Sequence, residues 1–131
     1  MELLKQYIKE ITEDLKIDEI NVKEVQMRTP GRKHFWVARM INHKIDLEKL
    51  LKQRKKIEKE LQTQVLACSE INVSASAVKR KIEESEPIVE INDKIREHEL
   101  IIELLEKTEK TFSSLSYDLK NIIEIVKMEN T

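Results

Sequence analysis

The densest chemistry-bearing stretch of this 131-residue sequence is KLLKQRKKIEKE, residues 49 to 60, which places six basic side chains in twelve positions. Lys49, Lys52, Lys56 and Lys59 recur at intervals of three and four, so on a helix they form one row, with Arg54 and Lys55 flanking it. Like charges at that spacing repel by roughly 0.2–0.5 kcal/mol per pair in an isolated helix. Two kinds of counter-charge would offset the repulsion. One is the acidic face of a second helix folded back on the row. The other is a phosphate backbone, where each ammonium contact releases counterions and gives salt-sensitive binding. A merely solvated charged face is the third reading, and charge alone leaves all three open.

No comparable set exists for catalysis. With a single glycine, neither a phosphate-binding loop nor a dinucleotide fingerprint can be written. His34, His43 and His98 are scattered and Cys68 stands alone, which offers no metal-ligand spacing and no cofactor site. His98 falls among apolar residues and reads as a core or interface histidine. Glu83, Glu84 and Glu86 read as helix-terminus charge rather than a paired-carboxylate centre. The expectation is a chain that is not an enzyme. Helix-turn-helix spacing, zinc-finger spacing and aromatic-rich strands are also missing, so any nucleic-acid binding should be sequence-tolerant. His34, Phe35 and Trp36, just after Arg32 and Lys33, could stack on bases, but a tryptophan beside a turn reads better as a plug for a helical bundle.

The elements that must carry the row are helices. The chain is 37% charged and 4% aromatic, with one Gly and two Pro, a balance that implies an all-α fold with few turns. Its length fits a single helical domain over residues 1–131. Leu3, Leu4, Ile8, Ile11 and Leu15 mark a short helix over 2–16, and Thr29-Pro30-Gly31 marks a turn that closes an N-terminal region of 1–31. A basic long helix is expected over 32–69 and a connection with a short helix over 70–85. An acidic long helix follows over 86–131, with Ser85 as its N-cap and Pro87 in its first turn. The two long helices should form a hairpin-like arrangement.

The second long helix carries Ile91, Ile95, Ile102, Leu105, Phe112, Leu119 and Ile123 at seam spacing, and Ile101, Leu104, Leu115, Ile122 and Ile125 widen the stripe. One partner helix cannot cover so wide a stripe. The pattern therefore predicts homo-oligomerisation through this C-terminal helix, the alternative being an entirely intramolecular core.

Charge is distributed very unevenly. Residues 1–31 carry a net −2, residues 32–59 a net +7, residues 60–81 a net +1 and residues 82–131 a net −7, which together make the overall −1. Near-neutrality therefore conceals a basic segment able to meet a polyanion. No apolar run is long enough for a membrane span, and the acidic, amphipathic N-terminus lacks the form of a signal peptide, so a cytoplasmic location is expected.

The order of segments resembles a known family. A short acidic helix, a stretch ending TPGRKHFW, the helix LEKLLKQRKKIEKEL, a short VKRKIEES helix and then EPIVEINDKIREHELIIELLEKTEKTFSSLSYDLKNIIE is similar to UvsY, the recombination mediator family of T-even-type bacteriophages. The resemblance implies a protein that binds single-stranded DNA without sequence preference. It also implies a hexamer- or heptamer-like homo-oligomeric ring formed through the C-terminal helices. Such a protein helps the phage recombinase replace the phage single-strand-binding protein, in the host cytoplasm if phage-encoded. The family's DNA-binding positions correspond to Arg54, Lys55, Lys56 and Lys59 here, with Lys52 one turn earlier and Lys49 completing the row. The family often continues with paired tyrosines and glycine, whereas this chain reads LQTQVLACSE. The competing expectation is a non-enzymatic coiled-coil scaffold whose charges serve helix pairing alone.

Overall fold

The computed structural model describes residues 1–68 and 74–130. They form four helices, α1 (Glu2–Asp14), α2 (Val22–Cys68), α3 (Ala75–Glu83) and α4 (Glu86–Glu129), with no strand among the described residues. The expected all-α class with two long helices and two short ones is what the chain adopts. The expected connection over 70–85 lies in part outside the described residues. Two compact units are present, Met1–His43 with Leu100–Thr131, and Lys44–Glu99, and both long helices contribute to each.

In the first unit, Tyr7 and Ile11 of α1 and Val22, Val25, Trp36 and Met40 of α2 share a core with α4's Ile101, Leu105, Phe112, Leu115 and Leu119. At 13 residues α1 is too short to persist alone, so its stability comes from docking. Polar contacts fix that docking. Asp14 Oδ2 accepts hydrogen bonds from Trp36 Nε1 and Arg32 Nε, each at 2.8 Å, and Glu10 pairs with Arg39 at 3.3 Å. Tyr7 Oη and His43 Nε2 lie 3.0 Å apart in a buried hydrogen bond. The Arg39 guanidinium stacks over Phe35 at 4.0 Å from the ring centroid and over Trp36 at 5.0 Å. Trp36 is 1% exposed, so it acts as the plug and has no face left to offer a base.

The sequence marks a turn at Thr29-Pro30-Gly31, and the structure corrects this: α2 runs through all three residues. An internal proline costs about 3 kcal/mol in a helix, because its ring displaces the carbonyl four residues back and its N–H is missing. Here both Pro30 and Gln26 are exposed, so the freed Gln26 carbonyl can be hydrated. Val25, Thr29 and Trp36 on the opposite face are buried, and burial of that face outweighs the local preference. The Thr29 hydroxyl also donates to the Val25 carbonyl at 2.5 Å, which satisfies this buried hydroxyl.

In the second unit, Ile88, Ile91 and Ile95 of α4 are buried against Leu47, Leu50, Ile57 and Leu61 of α2 and Ile82 of α3. Ser74 caps α3, its hydroxyl accepting the Ala77 N–H at 3.2 Å. Ser85 takes the expected N-cap position before α4, but its hydroxyl is used elsewhere. Its hydroxyl turns back and donates to the Ile82 carbonyl, while its own carbonyl accepts the Val89 N–H and so begins the α4 ladder. The residue joins two helices by satisfying the end of the first.

Much of the α4 seam expected to meet other subunits is occupied within the chain. Ile91, Ile95, Ile102, Leu105, Phe112 and Leu119 are all buried within the single chain, and Ile123 packs on the first core. The stripe is wide because α4 meets α1 and α2 in one unit and α2 and α3 in the other. Periodicity in one helix cannot distinguish a third helix of the same chain from a neighbouring subunit.

Gly31 sits inside α2 without a positive φ, and a Cβ added there meets nothing within 4 Å. Gly31→Ala should therefore stabilise the protein by about 1 kcal/mol through backbone entropy, read as a higher urea midpoint with an unchanged slope.

Candidate nucleic-acid interface

The basic segment lies on α2, and helix geometry sorts it into two faces. Leu47, Leu50, Ile57 and Leu61 turn toward the core of the second unit. At 3.6 residues per turn, Lys52, Lys56 and Lys59 fall on the opposite side, with Lys49 and Lys55 at its borders. All five lysines are exposed. From Lys49 to Lys59 the row extends about 15 Å along the helix. Among the described residues, none of the five has a carboxylate within ion-pair distance. The acidic α4 therefore does not neutralise the row there, and its members are left facing solvent.

Arg54 does not belong to this face. It lies one turn from both Leu50 and Ile57, which carries it to the core side of α2, where it is half-buried. Its guanidinium pairs with Glu58 at 3.0 Å, and its Nε is buried with no hydrogen-bond partner among the described residues. Its inclusion with the lysines rests on adjacency in sequence, whereas position around the helix separates them.

Three basic residues not assigned to the site from sequence share this unit. Lys79, Arg80 and Lys81 of α3 are exposed, while Val78 is buried and Ile82 anchors the helix. The signal was the consecutive Lys-Arg-Lys triplet beside one buried valine. Residues 44–99 also contain no Phe, Tyr or Trp. The donors gathered here are thus almost all ammonium groups, which bind phosphate as point charges.

Elsewhere the chemistry is sparse. No group of three or more His, Cys, Asp or Glu able to hold a metal occurs among the described residues. A groove of about 430 Å³ between α2 and α3 is lined by Glu58, Gln62, Leu66, Val78, Lys79 and Glu83, which pair no nucleophile with a base. No described helix is long and apolar enough to cross a membrane.

No family model matches the sequence, and no curated protein matches it at a significant level. Among solved structures, the chain is similar to the crystal structure of the bacteriophage T4 recombination mediator protein UvsY. The TM-score is 0.84 and the identity 13%, over 96% of this chain and 98% of that one. At that identity the likeness shows the fold, which is UvsY-like over nearly its whole length.

A face of unneutralised lysines costs the free protein stability, and the cost is ionic. Replacing Lys52 and Lys56 with Gln should raise the melting temperature at low salt by the equivalent of roughly 0.2–0.5 kcal/mol for each like-charge pair removed. The gain should disappear near 1 M salt, where the Debye length is about 3 Å.

Proposed function

We propose that this chain is a UvsY-like recombination mediator: it binds single-stranded DNA without sequence preference and promotes loading of a phage recombinase in place of the single-strand-binding protein. The observation that carries the reading is the exposed lysine face, Lys49, Lys52, Lys55, Lys56 and Lys59, on a chain whose fold matches that of a recombination mediator over nearly its whole length. Strand binding falls to these five residues and not to Arg54, which Glu58 already holds. The absence of aromatic residues from 44–99 favours attachment through the backbone, as a loader that acts on any exposed sequence requires.

A homo-oligomeric ring belongs to the same reading. One row of lysines gives weak, salt-sensitive attachment, and repeating it on several subunits raises the effective concentration of sites on one strand. With the central α4 stripe occupied inside the chain, self-association would use the α4 side chains still exposed toward its end, Tyr117, Ile125 and Met128, at 72%, 55% and 76%. Recombinase and single-strand-binding protein are the partners this role implies.

The test is an affinity titration with a labelled single-stranded oligonucleotide. The variant with Lys55, Lys56 and Lys59 replaced by Ala should bind more weakly. Its salt dependence should be flatter by about 0.7 of a log unit per decade of salt for each phosphate that the variant no longer neutralises. Arg54→Gln should leave the salt dependence unchanged. Wild-type affinity in the triple variant would remove this face from the function.

A further inference from the structure

We infer that the lysine face of α2 reads phosphate alone, so that single-stranded RNA is a ligand for it on equal terms with single-stranded DNA. The inference rests on the proposed nucleic-acid role of that face and extends it to a second class of strand. Three observations support it.

The first is donor type. The outward residues Lys49, Lys52, Lys55, Lys56 and Lys59 end in ammonium groups, which carry only donors and have no planar fork to match a base edge. The one guanidinium within residues 49–60, on Arg54, is turned to the core side and bound by Glu58 at 3.0 Å, and exposed Arg80 lies on α3 rather than on this face. Bidentate recognition of guanine is thereby withdrawn from the face. The second is the absence of Phe, Tyr and Trp from residues 44–99, which leaves His98 on α4 as the one imidazole of this unit and puts no stacking ring on the α2 row. The third concerns the sugar. A protein tells ribose from deoxyribose by hydrogen bonding to the 2′-hydroxyl or by excluding it sterically. Lysine side chains reaching outward from a convex helix face form no enclosed slot that would exclude a hydroxyl, and long flexible stems hold no fixed acceptor to engage it.

What remains common to both polymers is the regular line of phosphates. A face about 15 Å long with five ammonium groups meets that line through charge. Its contribution to the salt dependence is limited to a slope of about −3.5 per subunit, five contacts at about −0.7 each, whichever sugar is present.

The experiment compares the full chain's binding to an oligouridylate and to the oligodeoxyuridylate of equal length, by fluorescence anisotropy at about 50 and about 200 mM salt. The base is then identical and only the sugar differs. The expected result is affinities within about threefold of each other, with parallel salt slopes, and an equal loss for both strands in the Lys52→Gln, Lys56→Gln, Lys59→Gln variant. A preference for the deoxy strand of about tenfold or more, abolished by that variant, would overturn the inference and leave the DNA-binding role intact. Binding of neither strand would overturn the role and this extension together.

Discussion

The apolar stripe of α4 is the surface on which the rest of the molecule is assembled. Its side chains supply five of the buried residues in one core, Ile101, Leu105, Phe112, Leu115 and Leu119, and all three in the other, Ile88, Ile91 and Ile95. Each such side chain contributes about 1.5–3 kcal/mol when withdrawn from water. Everything else answers to that requirement. α1 is held by Tyr7 and Ile11, and α3 by Val78 and Ile82. α2 continues as a helix across Pro30 because Val25, Thr29 and Trp36 must reach the same core.

That arrangement decides what α2 can do with its charge. Since Leu50, Ile57 and Leu61 are committed to the core, the lysines between them are left on the outer side, and among the described residues no carboxylate meets them. A fold that kept its basic and acidic helices only to pair them would have interleaved the charges. Here the acidic helix is used for its apolar side, and the basic helix keeps an open cationic face while Arg54 and Glu58 neutralise each other on its flank. Packing thus divides one run of basic sequence into a structural arginine and a solvent-facing row, and the row is what a polyanion would meet.

Much of the fold was legible in sequence. The scarcity of Gly and Pro, the periodicity of α1 and α4 and the polar start of α4 are local signals, and local signals fix helices well. Three features were not legible because they depend on distant residues. Pro30 reads as a break until the buried face around it is known. The width of the α4 stripe does not by itself reveal that α1 and α3 of the same chain cover much of it. Arg54 reads as one of six equivalent cations until the position of the core assigns it a side. The lysine row itself was visible, since spacing of three and four is enough to align Lys49, Lys52, Lys56 and Lys59. What spacing could not show was that no neighbouring helix would cover it. The hydrogen bond of Trp36 to Asp14 was likewise hidden, because the two lie far apart in sequence and meet only when α1 docks.

The functional reading stands or falls on whether a nucleic-acid strand lies along the outer face of α2 between Lys49 and Lys59. Lysine-reactivity footprinting by limited acetylation and mass spectrometry, with and without saturating single-stranded oligonucleotide, addresses it residue by residue. The predicted result is protection of Lys49, Lys52, Lys55, Lys56 and Lys59, with Lys9, Lys23 and Lys107 reacting equally in both samples. Unchanged reactivity along the α2 row in the bound state would contradict it.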